Sequence, residues 1–413
     1  MDLNKKLDEL LLYVAQHIKF YRNMEKINRS CEYKSLLDTL SYYPVITKSI
    51  IRENMRQFVS DEISEEILRQ ALNMDKDYFK EYTYQDENNT FIVEYTSGTN
   101  GTPFLSIKEI NERIVLGKIL WKTRQKFSPV TPNDMFRFMH HYPNPYAFPF
   151  ERIEDDLLRM EKEMKYLSNS KYSWWHIGAS EINDYCHFIE NNPMIFPSLK
   201  VIENNGAYIS DDEKEKFGKA FNCSIANNYG SREVWNIAYD CKCGYLHVNE
   251  SSIIVELVDD EDKRIEEPNI YGNVVLTSLI QKYMPFIRYN IGDVACYIDG
   301  LCPCGRKEKR INLLPGRNLI IGTNMYGNQY FRSVVLCIIV AFGIKKFASI
   351  SVKQIDELTF VVNVKGNQED KTELEKYFKI SAIDILKSDK YNYIFTYDDN
   401  LVSKSIFEVK KNS

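Results

Sequence analysis

An eight-residue segment that begins at Thr96, TSGTNGTP, has the composition of a loop that binds phosphate groups. Gly98 and Gly101 let backbone N–H groups come close to an anion, and the hydroxyls of Thr96, Ser97 and Thr99 add donors. A Ser/Thr/Gly-rich surface turn is the alternative. The spacing matches neither the Walker loop nor the dinucleotide fingerprint, so a nucleotide would be held in another manner.

A second segment places an aromatic residue, a glycine and an acid at the predicted end of a strand. These are Tyr229, Gly230 and Glu233. Ligands bind at strand ends in α/β sheets, where a tyrosine can stack on a base and a carboxylate can hold Mg²⁺ beside phosphates. A tyrosine packed at a turn and a solvated glutamate would fit the same pattern.

Two further residues suit the ribose of a nucleotide. Asp293 directly follows Gly292, where its carboxylate would accept hydrogen bonds from both ribose hydroxyls. An aspartate of this kind is also common in type I turns. Arg317 follows Gly316 and offers a rigid fork to phosphate or ribose oxygens, with an exposed surface arginine as the alternative.

Four cysteines form two matching C-x-C-G turns, which predicts a structural Zn²⁺ site. They are Cys241 and Cys243 in the first turn and Cys302 and Cys304 in the second. Four thiolates complete a tetrahedral site, and His247 lies near enough to replace one of them. Buried thiols without a metal are the alternative. No basic recognition helix accompanies the cysteines, which argues against a nucleic-acid zinc finger.

The elements around these motifs alternate between strands and helices from about residue 91 to 330, which predicts a mixed or parallel sheet covered by helices. Residues 3–80 are predicted to be mostly helical, and a smaller sheet-containing unit is predicted after Leu314. The predicted strands of the main region are Phe91–Tyr95, Met135–Met139, Leu199–Glu203, Ser224–Asn228, Ser252–Val258, Gly272–Leu276 and Ile320–Thr323, and its predicted helices are Glu112–Lys126, Ile153–Leu167, Ser180–Glu190 and Asp211–Ala220.

Composition narrows the class of protein. The 413 residues suggest two or three domains. The net charge of −5 provides no excess of positive charge that would attract nucleic acid or an anionic membrane. The longest apolar run, Val334–Phe342, is far shorter than a membrane span of about 20 residues. The predicted amino-terminal helix lacks the apolar core of a secretory signal peptide, so a cytoplasmic location is expected. The oligomeric state is left open, with a homodimer as the commonest arrangement.

Taken in order, these segments resemble the adenylate-forming superfamily over nearly the whole chain, and specifically its phenylacetate–CoA ligase branch with the capsule-biosynthesis relatives. TSGTNGTP is similar to the phosphate loop of that branch, and NYGSRE, from Asn228, to its YGxxE segment. YPVITK, which ends at Lys48, is similar to its amino-terminal lPvltK segment. The shared order and the CPCGR element that starts at Cys302 argue against chance.

The resemblance implies an α/β fold with two domains. Residues 1–316 would form a large adenylate-forming domain of mixed sheets and helices with a zinc-binding element around 241–304, and residues 317–413 a small mobile α+β domain. It also implies two half-reactions. A small carboxylic acid attacks the α-phosphorus of Mg·ATP to give an acyl- or aryl-adenylate and pyrophosphate, and the acyl group then passes to a thiol, typically CoA. The implied cofactors are ATP, Mg²⁺, CoA and structural Zn²⁺.

The resemblance also implies a role for each candidate residue. Glu233 would bind Mg²⁺, and Lys404 would be carried by the small domain to the α-phosphate, with a solvated lysine as the alternative. The remaining implied contacts are with ATP: Thr96, Ser97, Gly98, Thr99 and Gly101 with the β- and γ-phosphates, Tyr229 and Gly230 with adenine, and Asp293 and Arg317 with the ribose.

Two departures from the family pattern keep other acceptors in view. No acidic hinge residue follows Arg317, and Thr102 stands where the branch often has a lysine. Adenylation is therefore predicted more firmly than transfer to CoA. An amine or hydroxyl acceptor in a capsule or secondary-metabolite pathway is the first alternative, and a non-catalytic binding protein with the same fold is the second.

Overall fold

The computed structural model describes most of the chain as far as Leu313 and shorter stretches after it. The described residues are 3–22, 24, 36–73, 81–96, 104–137, 156–206, 209, 211–313, 349–355, 359–365, 371–372, 375–376, 379, 392–397 and 407–409.

One large mixed sheet organises the protein. Strands β5 to β8 run parallel, and the sheet then continues with antiparallel strands in the order β9, β10, β14, β13, β12 and β11. A short strand, β1, adds to β13 in parallel. These strands are β1 (Ile46–Thr47), β5 (Met135–Arg137), β6 (Trp174–Ile177), β7 (Val201–Asn205), β8 (Ser224–Ser231), β9 (Trp235–Asp240), β10 (Leu246–Val248), β11 (Ile253–Val258), β12 (Gly272–Ser278), β13 (Tyr289–Tyr297) and β14 (Arg310–Leu313).

Helices cover both faces of the parallel strands, and an amino-terminal group of helices packs with the antiparallel strands. A parallel sheet buried on both faces is the arrangement expected for alternating strands and helices. The helices are α1 (Leu3–His17), α2 (Leu36–Leu40), α3 (Lys48–Glu53), α4 (Met55–Phe58), α5 (Glu65–Asn73), α6 (Ile110–Phe127), α7 (Asp156–Asn169), α8 (Ala179–Asn191) and α9 (Asp211–Phe221).

Strand β6 shows how the two layers are filled. Successive side chains of a strand point to opposite faces. Trp174 packs with Phe127 of α6 on one face, and Trp175 packs with Tyr185 and Phe221 of the α8 and α9 layer on the other. Both indoles are almost fully buried. Two large aromatic side chains on one short strand therefore join the two helical layers to the sheet.

A separate three-stranded antiparallel sheet flanks the predicted phosphate loop. Its strands are β2 (Glu81–Gln85), β3 (Thr90–Thr96) and β4 (Phe104–Glu109). β3 ends at the first residue of TSGTNGTP and β4 begins directly after its last, with Thr96 paired to Phe104. Helix α6 follows β4 without a break, and Glu109 and Glu112 form a capping box at its start.

The described stretches near the carboxyl terminus form a four-stranded sheet of their own. Its strands are β15 (Ser349–Gln354), β16 (Thr359–Lys365), β17 (Asn392–Tyr397) and β18 (Phe407–Val409), in the order β17, β16, β15, β18. This agrees with the sheet-containing unit predicted after Leu314. The boundary after residue 316 lies outside the described residues, so the division into two domains stays a prediction.

The predicted α/β class is confirmed, and most of the predicted elements of the main region are present. Several boundaries differ by a few residues: the strand predicted from Leu199 begins at Val201, for example, and the strand predicted to end at Asn228 continues to Ser231. The prediction of mostly helix for residues 3–80 missed only the short strand β1 among the described residues. Among the described helices, none has the length and apolar character needed to cross a bilayer. The predicted strand Ile320–Thr323 lies outside the described residues.

Candidate active site

The carboxylate of Glu233 is almost fully buried, with 1% of its surface exposed. It lies in the turn between β8 and β9. Lys48 Nζ is 2.7 Å from its Oε1, and the Tyr289 hydroxyl donates to the same oxygen at 3.3 Å. The side-chain amide of Gln281 donates to the Glu233 carbonyl oxygen at 2.7 Å. The carboxylate is thus fixed in place and faces a cation.

Lys48 reaches Glu233 because β1 pairs with β13. Thr47, the last residue of β1, is opposite Asn290, and its hydroxyl caps helix α3, which begins at Lys48. The ammonium group of Lys48 also lies over the ring of Phe104, 5.1 Å from its centre. The sequence motif that ends at Lys48 carried the family resemblance but gave no role for this side chain. Only the sheet shows that it lies beside Glu233.

Tyr229 and Asp293, predicted to contact the adenine and the ribose, are brought together by the fold. The Tyr229 hydroxyl donates to Asp293 Oδ2 at 2.8 Å, and both residues are half-buried. They come from strands β8 and β13, which are not neighbours in the sheet. Two residues separated by 64 positions are therefore in direct contact, and Glu233 follows Tyr229 by four residues, in the turn between β8 and β9.

Gly230 allows the closest backbone approach in this region. A β bulge separates Tyr229 from Gly230 in the pairing of β8 with β9. A Cβ atom on Gly230 would lie 2.0 Å from the Trp235 carbonyl oxygen. Backbone cannot yield as a flexible side chain can, so glycine is required for the turn that presents Tyr229 and Glu233.

We expect Gly230→Ala to lower the free energy of unfolding by about 2 kcal/mol or more, because the new methyl group would force the two strands apart. The measurement is chemical denaturation. Gly117→Ala is the matched control: its Cβ would meet Trp235 at an ordinary 3.7 Å within helix α6, so stability should be unchanged or higher. Equal stability of the Gly230 variant and wild type would contradict this account of the turn.

A buried polar cluster occupies the α6 face of the parallel strands near their carboxyl ends. Its centre is Glu203, which receives two hydrogen bonds of 2.7 Å from Arg124 and one of 2.6 Å from the Tyr239 hydroxyl. His176 Nδ1 lies 2.6 Å from Glu203 and donates, because an ionised carboxylate only accepts. Burial alone would raise the pKa of Glu203, but Arg124 and His176 hold it well below its usual value.

By residue type, Trp174, Trp175 and His176, like the pair His140 and His141, would suit a pocket for an aromatic or polar acid. The structure corrects this for the two tryptophans, which are core residues with at most 1% of their surface exposed. The His176 side chain, in contrast, is 17% exposed. Both indoles pack against helices, whereas the imidazole lies on the same face as Trp174 but two residues nearer the carboxyl end of the strand. The other suggested pair, His140 and His141, lies outside the described residues.

Several predicted site residues also lie outside the described part of the chain, and their roles stay predictions. The strand that leads to the phosphate loop is described as far as the Thr96 backbone. The residues concerned are Ser97, Gly98, Thr99, Gly101, Arg317 and Lys404.

Three cysteines and a histidine converge where the two C-x-C-G turns meet. The candidate ligand atoms of Cys241, His247, Cys302 and Cys304 all lie within 4.8 Å of one another. The Cys241 and Cys302 sulfurs are 3.7 Å apart, and Cys304 Sγ is 3.5 Å from His247 Nε2. A tetrahedral zinc site sets separations of about 3.8 Å between two sulfurs and about 3.5 Å between sulfur and nitrogen. The geometry therefore fits Zn²⁺.

The histidine is oriented for this purpose. His247 Nδ1 lies 3.2 Å from the Glu308 carbonyl oxygen, so Nδ1 donates and Nε2 is left facing the sulfurs. Cys243, the fourth cysteine of the predicted set, is exposed and is not part of the cluster. The alternative in which His247 replaces one thiolate is the arrangement that the structure shows.

The architecture defines the class of fold. A solved structure of 2-hydroxyisobutyryl-CoA ligase, in complex with 2-HIB-AMP and CoA, is similar with a TM-score of 0.68 over 97% of this chain and 88% of that one, at 14% identity. Acetoacetyl-CoA synthetase from Streptomyces lividans is similar with a TM-score of 0.50 at 13% identity, over 74% of this chain and 51% of that one. The chain thus has the fold of adenylate-forming CoA ligases, as the sequence resemblance predicted.

Sequence comparison points in the same direction. Protein CapK of Staphylococcus aureus is 22% identical over 340 residues, which cover 76% of this chain and 67% of CapK. Phenylacetate-coenzyme A ligase of Thermus thermophilus is 33% identical over 88 residues, which are 20% of each chain. No protein-family model matches the chain. The aligned segment thus spans about a fifth of the ligase.

Proposed function

We propose that the protein is an ATP-dependent carboxylate ligase that forms an acyl- or aryl-adenylate and passes the acyl group to CoA. The observation that carries the proposal is the grouping of Glu233, Tyr229 and Asp293 in a chain with the fold of a CoA ligase. Glu233 supplies a buried carboxylate, and the other two supply an aromatic ring and a second acid at half-buried positions. These are the groups that Mg·ATP needs.

The proposed residue roles follow the order of the nucleotide. Glu233 would bind Mg²⁺, which neutralises charge on the phosphates when bound. Tyr229 and Gly230 would contact the adenine, and Asp293 the ribose. The phosphate loop (Thr96, Ser97, Gly98, Thr99 and Gly101), Arg317 at the ribose and Lys404 at the α-phosphate complete the set.

In the first half-reaction, a carboxylate oxygen of the substrate attacks the α-phosphorus of ATP, and the bond to the bridging oxygen of pyrophosphate breaks. Two anions meet in this step, so catalysis depends on positioning and on neutralisation of charge. Lys48 already places a cation beside Glu233 in the described structure. In the second half-reaction, a CoA thiolate attacks the acyl carbon and AMP leaves.

We propose further that Cys241, His247, Cys302 and Cys304 hold one structural Zn²⁺. The separations of the ligand atoms and the orientation of His247 support this. With four protein ligands the site would be closed, so its role would be to stabilise the two turns rather than to take part in the reaction. We expect the enzyme to work in the cytoplasm, where ATP and CoA are available, with a homodimer as the simplest assembly.

Transfer to an amine or hydroxyl instead of CoA is the second candidate function. Two observations favour it: no acidic hinge residue follows Arg317, and the sequence alignment with CapK covers 76% of this chain, whereas that with phenylacetate-coenzyme A ligase covers 20%. Adenylation would be unchanged, and only the acceptor would differ.

The test is pyrophosphate release from ATP with a panel of aliphatic, hydroxy and aromatic acids, each with and without CoA, followed by product mass. We expect release with at least one acid and a CoA thioester when CoA is present. A product that forms only with an added amine or alcohol would support the second candidate. ATP binding without release across the panel would indicate a non-catalytic homologue and would refute the proposal.

A further inference from the structure

A fully buried ammonium group links the two parts of the candidate active site. Lys108 lies in β4, and none of its surface is exposed. Its Nζ lies 2.5 Å from Glu94 Oε2, 2.9 Å from the Ser106 hydroxyl oxygen and 2.7 Å from the Arg232 carbonyl oxygen. An ammonium group has three hydrogens, and each one has an acceptor here.

The third of these bonds joins separate sheets. Glu94, Ser106 and Lys108 belong to the three-stranded sheet that flanks the predicted phosphate loop. Arg232 lies in the turn between β8 and β9, directly before Glu233. Lys108 therefore holds the main chain at Arg232, next to the proposed Mg²⁺ ligand Glu233, against the hairpin formed by β3 and β4.

A second bond runs in the opposite direction. Arg232 Nη1 donates to the Tyr95 carbonyl oxygen at 2.9 Å. Tyr95 is the penultimate residue of β3, two positions before the first undescribed residue of the loop. Each of the two chain segments thus sends a cationic side chain to a backbone carbonyl of the other. Because carbonyl oxygens belong to the main chain, these bonds set the distance between the backbones.

The carboxylate of Glu94 keeps Lys108 in this position. Burial alone would raise the pKa of Glu94, but the charge of Lys108 and its hydrogen bond more than offset this and lower it. The indole N–H of Trp235, from the far side of the β8–β9 turn, lies 3.4 Å from the same carboxylate oxygen. The pair is therefore enclosed and in contact with both segments.

We propose that Lys108 and Arg232 are positioning residues that hold the phosphate-loop hairpin at a fixed distance from the turn that carries Tyr229 and Glu233. The inference rests on the proposed function and deepens it. ATP would contact both segments at once, through its phosphates at the hairpin and through its Mg²⁺ and adenine at the turn. A small displacement between them would weaken ATP binding and slow adenylation, because such reactions depend on accurate placement of the reacting groups.

A purely stabilising role would not need this arrangement. A buried ion pair adds little net stability compared with well-packed apolar residues, because both charges lose their hydration. Removal of one partner, however, lowers the free energy of unfolding strongly, because it leaves the other charge buried and unpaired. The function of the pair and its effect on stability can therefore be separated by a double substitution that leaves no charge unpaired.

The experiment compares Lys108→Met, Glu94→Gln and the double variant. We expect Lys108→Met to lower the melting temperature by about 5 °C or more, and the double variant to recover most of that loss. We expect the KM for ATP to rise about tenfold in Lys108→Met and to stay raised in the double variant, since the bond to the Arg232 carbonyl is absent from both. The KM for the carboxylic acid should change less than about threefold.

Two further variants complete the test. Glu163→Gln is the matched control, because Glu163 is a buried carboxylate paired with Arg159 in helix α7; it should lose stability but keep the wild-type KM for ATP. Arg232→Gln removes the reciprocal bond from a half-buried side chain, and should raise the KM for ATP without a large loss of stability. This variant serves if Lys108→Met fails to fold.

The outcomes distinguish this inference from the proposed function. If the double variant regains both stability and the wild-type KM for ATP, or if Arg232→Gln leaves that KM unchanged, the pair is merely structural and the inference is wrong. If wild-type protein neither binds ATP by calorimetry nor releases pyrophosphate, the proposed function itself fails, and the inference falls with it.

Discussion

Replacement of Glu233 by glutamine should lower the rate of pyrophosphate release at least about 100-fold at saturating ATP and acid. The amide keeps the size of the side chain but removes the charge that would bind Mg²⁺ and that faces Lys48 at 2.7 Å. Because only 1% of the Glu233 surface is exposed, water cannot replace the lost charge, and the activation barrier for adenylation should rise. The measurement is steady-state pyrophosphate release across a range of Mg²⁺ concentrations.

Stability must be separated from chemistry in this variant. Glu233→Gln leaves the Lys48 ammonium without its carboxylate, so some loss of melting temperature is expected. Glu163→Gln also breaks a buried ion pair, in helix α7, and provides the comparison. The proposed role requires that only the Glu233 variant loses activity at a temperature where both are folded. A wild-type rate in Glu233→Gln would show that this carboxylate does not bind the catalytic cation.

The second large effect concerns the metal. Purified protein should contain about one Zn²⁺ per chain, and Cys302→Ser should lower this to near zero after dialysis against a mild chelator. The same variant should melt at least about 5 °C lower than wild type, because the metal ties together two turns 61 residues apart in the chain. Pyrophosphate release below the melting temperature should change little, since a site with four protein ligands has no open position.

Cys243→Ser supplies a control within the same turn. Cys243 is exposed and lies two residues from Cys241, so its variant should keep both the zinc and the melting temperature. If Cys243→Ser loses zinc while His247→Gln keeps it, the four-cysteine set predicted from the sequence is correct and the cluster of three cysteines and one histidine is not the site. Wild-type protein that is free of metal and equally stable would refute the zinc proposal.

The local pattern of apolar and polar residues was sufficient to predict many helices and strands of the fold. The helix from Asp211 to Phe221 and the strand that precedes TSGTNGTP were predictable because their periodicity and flanking residues agree. Several strands, among them β6, β9 and β13, were not identified. Trp174 to Ile177 is a short apolar run of the kind that periodicity alone does not assign, and only its pairing with β5 and β7 makes it a central strand.

The sequence by itself determined which segments are candidates for the chemistry. Glycines, hydroxyls and acids at fixed local spacing indicated a nucleotide site, and the order of the motifs indicated the adenylate-forming class. Local spacing is enough for such motifs because a turn or a strand end places neighbouring residues directly. The C-x-C-G turns of the zinc element were visible for the same reason.

Only the tertiary structure decided which distant groups meet. It places His247, and not Cys243, close to Cys241, Cys302 and Cys304, because His247 lies on β10 and is oriented by the Glu308 carbonyl. It brings Lys48 to Glu233 through the pairing of β1 with β13, and Lys108 to the same turn across two sheets. These contacts depend on strand order and on which face of a strand each side chain occupies, and neither is encoded in local spacing.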